Sequence, residues 1–271
     1  LGPAMRNIRL DLEYDGRNYY GWQWQPERPT IEKTVKEAIE KIIRHEIILY
    51  SSGRTDTGVH AEQHVAHFFS ETRLEPLSLL RGINAVLPPD IVVYSVVDMP
   101  LAWRARRDAL DREYRYTFFC QPAPSALFRD YTCWVRDELD AEAMRAAARF
   151  FVGKHDFSAF RSQQCDAEHA VREIYDMAVQ KIPPFLHIRV RGTAFLRHQV
   201  RTIGGTLLEV GKGKLSADLI PEILASKDRR RAGPTLPARG LTLVAVRYAG
   251  DEERGIEAAR ATRFRFPGWN P

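Results

Sequence analysis

Residues 7–14 read Asn-Ile-Arg-Leu-Asp-Leu-Glu-Tyr, so that polar and apolar side chains alternate. A period of two is typical of a half-buried β-strand. Asp15 and Gly16 then predict a turn. Thr30 is the expected N-cap of a helix, because apolar residues recur after it at helical spacing, at Ile31, Val35, Ala38, Ile39, Ile42 and Ile43. The chain therefore opens with a strand, a turn and an amphipathic helix.

The same two periods continue along the rest of the chain. In the first half they predict a helix at 77–85, closed by Pro88 and Pro89, and strands at 47–50, 63–69 and 91–97. In the second half they predict strands at 113–120, 174–179, 186–190 and 241–248. The helices predicted there run from an Asp140 N-cap to Gly153, over 195–210 and over 216–225. Each half thus runs strand, helix, strand, strand, helix, strand, with one additional helix, at 216–225, before the last strand of the second half.

This order of elements predicts an α+β protein built from two ferredoxin-like (RRM-like) halves, 6–108 and 109–250. We expect their antiparallel sheets to join into one platform, with helices packed on one side and a basic cleft at the join. Residues 251–271 are a charged, aromatic tail to which the pattern assigns no element. Residues 1–4 precede Met5 and are expected to be a remnant of cloning.

Composition narrows the class of protein. The chain has 271 residues, 44% of them hydrophobic and 28% charged, which is typical of globular proteins. No apolar run approaches the roughly 18 residues that span a bilayer. The formal charge is +5, and 32 of the 40 basic residues are Arg, whose planar donors suit phosphates and base edges. A GC-rich genome would also raise the Arg content, so composition alone leaves nucleic-acid binding open.

Cysteine and histidine give no sign of a metal centre. Cys120, Cys133 and Cys165 are odd in number and form no C-x-x-C pair, which disfavours a disulfide framework or structural zinc and indicates a reducing cytoplasm. His60, His64 and His67 lie close in sequence, but their spacing matches no ligand set. We therefore interpret them as loop and strand residues and expect no metal.

One loop stands out as a candidate active site. Residues 52–60 read Ser-Gly-Arg-Thr-Asp-Thr-Gly-Val-His, in which Gly53 and Gly58 bracket Arg54 and Asp56. Glycine permits a positive φ and close backbone approach, so such a loop can present a carboxylate at a fixed angle. From these residues alone, a tight turn with an exposed ion pair is an equally good interpretation.

The loop resembles the catalytic loop of the tRNA pseudouridine synthase A family, and the resemblance extends along the chain. The opening Glu-Tyr-Asp-Gly of 13–16 with Tyr-Tyr-Gly-Trp-Gln of 19–23 is similar to that family's start. Further similar blocks follow in the family's order, at 84–91, 112–116, 153–160 and 194–201. Thr57 stands where the family usually has Ala, and Trp103-Arg104 where it often has Phe-His, so a role for a histidine there does not transfer.

The resemblance implies a reaction and a set of site residues. Uridine in tRNA becomes pseudouridine: the N-glycosidic bond breaks, the uracil turns, and C5 rejoins the ribose, with no cofactor. Asp56 is the implied nucleophile, attacking either the base or the anomeric carbon of the ribose. Arg201 is the implied partner that keeps this carboxylate ionised. Tyr114 is expected to stack on the flipped uracil and Arg54 to hold the flipped nucleotide or a phosphate.

The expected substrate surface is basic. Five arginines in and next to the predicted strand at 113–120 are candidates to grip phosphates of a stem-loop, namely Arg104, Arg106, Arg107, Arg112 and Arg115. The run Arg229–Arg231 is either a second such patch or a solvated surface. The resemblance further implies a cytoplasmic homodimer that acts on uridines 38 to 40 of the tRNA anticodon arm.

Two other classes of protein share part of this pattern. Asp56-Thr57-Gly58 is also the tripeptide of aspartic proteases, but those need two such loops that share a proton, and the chain has no second one. A non-catalytic RNA-binding module with an RRM-like sheet explains the basic and aromatic residues, but not the bracketed Arg-x-Asp loop. Replacing Asp56 separates an enzyme from a pure binder.

Overall fold

A computed structural model describes residues 4–256 of the chain. It divides into two compact units: unit 1 holds residues 4–110 and 243–256, and unit 2 holds residues 111–242. The sequence pattern assigned the last strand to the C-terminal half because it follows that half in chain order. In the structure, residues 243–248 belong to unit 1.

Ten strands and five α-helices form the described part. The strands are β1 (Arg6–Tyr14), β2 (Tyr50–Ser51), β3 (His60–Ser70), β4 (Ile91–Met99), β5 (Ala109–Cys120), β6 (Cys133–Val135), β7 (Gly153–Asp156), β8 (Val171–Ile182), β9 (Phe185–Gly192) and β10 (Leu241–Tyr248). The helices are α1 (Ile31–Ile43), α2 (Pro76–Val86), α3 (Ala141–Arg149), α4 (Gln199–Gly211) and α5 (Ile220–Ser226). The predicted α+β class is confirmed. No helix in residues 4–256 is long and apolar enough to cross a membrane.

Unit 1 consists of a sheet and the helices α1 and α2, which contact each other. Its strands follow the order β4-β1-β3-β10, and β1 pairs antiparallel with both β3 and β4. Leu10 of β1 stands opposite Ala66 on one side and Val96 on the other, and all three are buried. The predicted helix α1 is confirmed, and it begins and ends at the expected residues. At its start, the Thr30 side chain accepts a hydrogen bond from the Lys33 N–H.

The strand predicted at 47–50 is mostly wrong. Only Tyr50 and Ser51 pair with β3, although Ile47 and Leu49 are buried. Arg44 ends α1 in the left-handed region at φ 62°, and the Glu40 carboxylate then accepts the Ile47 N–H at 2.9 Å. The backbone of this segment is therefore partly satisfied by a side chain instead of a neighbouring strand.

In unit 2 the strands follow the order β5-β9-β8-β7, with each neighbouring pair antiparallel, and β6 pairs parallel with β5. Asp140 caps α3 as predicted, accepting the Ala143 N–H at 2.9 Å. Gly153 does not end this helix, which stops at Arg149; it opens β7 at φ +105°. The helix predicted at 216–225 is a short 3-10 turn, Ala217–Leu219, followed by α5.

The predicted helix 195–210 begins four residues late. His198 takes a left-handed conformation at φ 65°, which no continuous helix tolerates, and α4 starts after it. The Gln199 side chain accepts the Leu196 N–H at 2.8 Å, which fixes the turn that leads into the helix. Phe195 therefore lies in an irregular segment ahead of α4.

The start of the predicted tail is tied into unit 1. Asp251 is buried, and its carboxylate accepts a hydrogen bond from Nη1 of Arg9 at 2.6 Å. The Asp11 carboxylate accepts hydrogen bonds from Nε and Nη2 of the same guanidinium, at 2.9 Å each. The Arg9 guanidinium also lies 4.6 Å from the centroid of the Tyr248 ring. Residues 251–256 are thus anchored by a buried ion network, while the remainder of the predicted tail, 257–271, and residues 1–3 of the predicted cloning remnant lie outside the described residues.

Candidate active site

The loop between β2 and β3 presents Asp56 on a tight turn. The Val59 N–H donates to the Asp56 carbonyl at 3.1 Å, and Gly58 takes φ +79° within that turn. A positive φ at the third turn position favours glycine, which explains why Gly58 follows Thr57. Thr55 and Val59 are buried, at 7% and 2% exposure, whereas Asp56 is partly exposed. The carboxylate therefore sits in a loop whose flanks are held in the core.

Of the two glycines that bracket the loop, only Gly58 is required by its conformation. A Cβ added at Gly53 would meet no atom within 4 Å, and its φ lies outside the left-handed region. Arg54, next to it, is exposed. Gly53 and Gly58 look equivalent in the sequence, but the fold requires glycine at position 58 alone of the two.

A second segment, residues 15–22, runs along the Asp56 loop and supports it. The Trp22 N–H donates to the Thr55 carbonyl at 3.1 Å, and the Gly58 N–H donates to the Tyr19 carbonyl at 3.4 Å. A Cβ on Gly21, which has φ +81°, would come within 2.5 Å of the Thr55 oxygen. The two backbones are in such close contact that glycine is required at this position.

Below the loop lies a buried chain of polar and aromatic groups. The Tyr14 hydroxyl lies 2.8 Å from Thr55 Oγ1 and 3.2 Å from His64 Nδ1. The indole of Trp22 stacks on the His64 ring at a centroid distance of 3.8 Å. All four side chains are buried. Tyr14 and Trp22 belong to the opening block at 13–23, for which the sequence predicts no role at the site. Their position beside Gly16 and Gly21 was the available signal.

The three histidines of β3, His60, His64 and His67, are buried and contact neighbouring groups of unit 1. His60 Nδ1 accepts the Gly16 N–H at 3.1 Å. His67 is buried beside Trp103 and Tyr50, and burial, with Arg104 adding to it, lowers the pKa of His67 to about 4. Among residues 4–256 there is no group of three or more His, Cys, Asp or Glu side chains that could hold a metal ion.

In unit 2, Arg201 is held in place by the segment before β10. Its Nε donates to the Leu236 carbonyl at 2.7 Å, and the Leu236 N–H donates back to the Arg201 carbonyl at 3.3 Å. Next to it, Gly205 packs so closely on this segment that a Cβ would lie 1.8 Å from the Pro234 oxygen. Arg201 therefore occupies the first turn of α4 with its guanidinium plane oriented.

Tyr114 lies at the partly exposed part of β5, where the strand pairs with Val190 of β9. Its ring meets Phe195 edge-on, with centroids 5.3 Å apart and an interplanar angle of 88°. Tyr116 and Phe118 continue the same face but are fully buried. The face predicted from alternation thus changes from core to partial exposure at Tyr114.

The predicted phosphate-binding arginines differ in what they can do. Arg106 is exposed, Arg107 pairs with Asp108 at 2.7 Å, and Arg112 donates to the Thr193 carbonyl at 2.7 Å. Arg104 donates to the Leu101 and Trp103 carbonyls. Arg115 is buried at 2% exposure, which leaves its guanidinium no surface to offer a phosphate.

The run Arg229–Arg231 forms a short 3-10 turn capped by Asp228. Arg230 pairs with Asp228 at 2.7 Å, which holds the pKa of that carboxyl at about 2, and Arg231 pairs with Glu222 at 3.3 Å. Arg229 donates to Thr235 Oγ1 at 3.0 Å. The structure therefore gives each member of this run a local partner.

The family described as tRNA pseudouridine synthase matches residues 147–249. A relative from Geobacter sp. (strain M21), named tRNA pseudouridine synthase A, is 43% identical over 246 residues, covering 90% of this chain and 99% of the relative. A relative of the same name from Myxococcus xanthus is 44% identical over 246 residues, with 90% and 92% covered. The class is therefore that of enzymes that form pseudouridine in tRNA.

More particularly, the chain belongs to the tRNA pseudouridine synthase A family. It is an isomerase: uridine in tRNA becomes pseudouridine with no atom gained or lost. The rival interpretations, an aspartic protease and a non-catalytic RNA-binding module, are wrong for this chain.

The solved structures are less similar to this chain than the sequence relatives are. The crystal structure of the archaeal box H/ACA sRNP Nop10-Cbf5 complex is 16% identical and aligns with a TM-score of 0.35, over 74% of this chain and 43% of that chain. The structure of an H/ACA RNP bound to a substrate RNA containing 2'-deoxyuridine is 14% identical, with a TM-score of 0.30 over 74% of this chain and 53% of that chain. At these TM-scores the likeness carries no conclusion, and the family assignment rests on the sequence relatives.

Proposed function

We propose that Asp56 is the nucleophile of the isomerisation and that the enzyme acts on uridines 38 to 40 in the anticodon arm of tRNA. The observation that carries the proposal is the turn at residues 56–59, which leaves the carboxylate of Asp56 partly exposed while Thr55 and Val59 are buried. A carboxylate held in this way loses little freedom when it attacks, because its backbone is already ordered.

The chemistry needs an anion and a base that has left its stack. The bond from ribose C1′ to uracil N1 breaks and a bond from C1′ to C5 forms, while the proton lost from C5 is matched by one gained at N1. Whether Asp56 attacks the base or C1′, it acts as a carboxylate. The guanidinium of Arg201 supplies the positive charge that favours this form.

The remaining substrate contacts follow from the side chains that present a surface. Tyr114 stacks on the flipped uracil, for which its partly exposed ring and its edge-on support from Phe195 are suited. The exposed Arg54 holds the flipped nucleotide or a phosphate. Arg104, Arg106, Arg107 and Arg112 are the predicted phosphate contacts that we retain, and the buried Arg115 is left out.

Pseudouridine mapping on intact tRNAs tests the substrate. Transcripts that carry uridine at 38, 39 or 40, and matched transcripts with cytidine there, are incubated with the protein and mapped along the whole tRNA. We expect conversion in the first set, confined to 38 to 40, and none in the second. Conversion at other positions, with these three untouched, would overturn the proposed substrate.

We also propose that the working form is a homodimer in the cytoplasm, as the family resemblance implies. Light scattering coupled to gel filtration would then give a mass of twice the 31.1 kDa of one chain. A mass of one chain at the concentration used for the assay would contradict the dimer.

A further inference from the structure

One surface of unit 1 is not used by the proposed site. Tyr20 and Trp24 are exposed at 41% and 53%, and the guanidinium of the exposed Arg28 lies 4.6 Å from the centroid of the Tyr20 ring. We call Tyr20, Trp24 and Arg28 the aromatic patch. The aromatic patch therefore offers rings for stacking together with a positive charge on the same short segment.

The segment that carries the aromatic patch is ordered by its own hydrogen bonds. The Tyr20 N–H donates to the Pro29 carbonyl at 2.9 Å, which closes the segment. Gln25 Nε2 donates to the Tyr20 carbonyl at 2.9 Å, and the Trp24 N–H donates to the Glu32 carboxylate in the first turn of α1 at 2.8 Å. The exposed rings therefore stand on a fixed backbone.

The same segment is joined to the loop that carries Asp56. Tyr19 and Trp22, which flank Tyr20 and Gly21, exchange backbone hydrogen bonds with Gly58 and Thr55. The aromatic patch and the proposed nucleophile thus belong to one hydrogen-bonded piece of unit 1. A large substrate that reaches Asp56 therefore meets the aromatic patch at a position that these hydrogen bonds fix relative to Asp56.

We propose that the aromatic patch binds an unpaired nucleotide of the tRNA substrate, with its base stacked on the Trp24 indole and its phosphate on the Arg28 guanidinium. This inference rests on the proposed function and adds a second RNA-binding site to it. Stacking on an aromatic ring is the general means by which proteins hold unpaired bases, and it suits any base because each has a π-face. The Arg28 guanidinium makes a cation–π contact with the Tyr20 ring, 4.6 Å from its centroid, so its charge lies beside the exposed aromatic side chains.

The test is a steady-state comparison of Trp24→Ala with wild type on intact tRNA. We expect KM for tRNA to rise roughly 5- to 150-fold, the range typical of one lost base stack, while kcat at saturating tRNA stays within about twofold. Trp24→Tyr retains a ring and should restore most of the affinity, whereas Trp24→Leu should behave as Trp24→Ala. Arg28→Gln should raise KM and reduce its dependence on salt by about one phosphate contact.

Trp134→Ala is the matched control, since Trp134 is another exposed tryptophan, at 41%, and lies in β6 of unit 2. Its KM should equal that of wild type. If Trp24→Ala also leaves KM unchanged, or if Trp24→Leu binds as well as Trp24→Tyr, stacking at the aromatic patch is wrong. Failure of the proposed function looks different, because wild type itself then converts no uridine at 38 to 40.

Discussion

The hydroxyl of Tyr14 lies 2.8 Å from Oγ1 of Thr55, the residue directly before Asp56. Both side chains are buried, and the same hydroxyl lies 3.2 Å from His64 Nδ1. The backbone that carries the proposed nucleophile is therefore tied by side chains to β1 and β3, the centre of the unit 1 sheet. These contacts hold the residue before Asp56 against the core of unit 1.

Tyr14→Phe removes this tie and keeps the ring. It leaves the Thr55 hydroxyl and the His64 ring without that partner in a buried place, at a cost of about 1–3 kcal/mol in unfolding free energy. Because Asp56 is then less well oriented, we expect kcat to fall roughly tenfold with KM for tRNA little changed. Steady-state kinetics and urea denaturation measure both effects.

Tyr50→Phe is the control for that substitution, since Tyr50 is 41% exposed at the edge strand β2. It should leave both kcat and stability at wild-type values. A Tyr14→Phe enzyme with full kcat would show that the hydroxyl does not position Asp56.

Gly21→Ala places a Cβ 2.5 Å from the Thr55 oxygen at a residue with φ +81°. Left-handed strain and the clash together cost of order 2 kcal/mol or more in stability, and we expect kcat to drop at least tenfold because Thr55 moves. Gly53→Ala is the matched change in the Asp56 loop, where a Cβ meets no atom within 4 Å. Thermal unfolding should show Gly53→Ala close to wild type; equal losses in the two variants would argue against the close approach at Gly21.

Asp251→Ala breaks the buried ion network around Arg9. The Nη1 group of Arg9 loses its 2.6 Å partner inside unit 1, where the guanidinium is fully buried. Removing one partner of such a pair costs about 3 kcal/mol, seen as a lower urea midpoint. Glu252→Ala, at the exposed next residue, should leave the midpoint unchanged; an equally small effect at Asp251 would mean that the network does not anchor residues 251–256.

The stability of the protein should fall as the pH is lowered from about 6.5 to 4. Burial holds the pKa of His67 at about 4 in the folded state, against 6.5 when unfolded. In this window the unfolded chain takes up a proton that the folded chain does not, so each pH unit lowers the unfolding free energy by up to ~1.4 kcal/mol. His187, whose pKa burial likewise lowers to about 4, acts in the same direction.

Urea midpoints at pH 7.5, 5.5 and 4.5 test this effect. His67→Gln should be less stable at neutral pH but lose less on acidification than wild type. A His67→Gln slope identical to that of wild type would contradict the assigned cause.

Sequence periodicity predicted the elements whose local signals agree with their packing. The Thr30 and Asp140 caps and the alternation in residues 7–14 each select one conformation, and the structure confirms α1, α3 and β1 there. The expectation that β1 is half-buried is wrong, because its polar residues Arg9 and Asp11 are buried too, in an ion pair with each other. Periodicity failed where a side chain bonds the backbone in place of a neighbouring strand: Ile47 and Leu49 are buried without strand pairing, and the Glu40 carboxylate accepts the Ile47 N–H.

The site shows the same division. The Asp-Thr-Gly-Val sequence of residues 56–59 contains its own turn, so Asp56 could be singled out from local residues. The support from Tyr14, Trp22 and His64 joins residues that are tens of positions apart, and no local pattern shows which side chains will meet. Arg115 appeared in sequence as one of a basic cluster, and only the strand's placement shows that it points into the interior.

The most direct test of the central claim is the single-turnover rate of pseudouridine formation by Asp56→Asn on a tRNA that wild type converts. Asparagine has nearly the same shape as aspartate but is not an anion, so tRNA binding by filter assay should stay within a few-fold of wild type. We predict that conversion by this variant falls below detection. Conversion at a rate near that of wild type would contradict the assignment of Asp56 as the nucleophile.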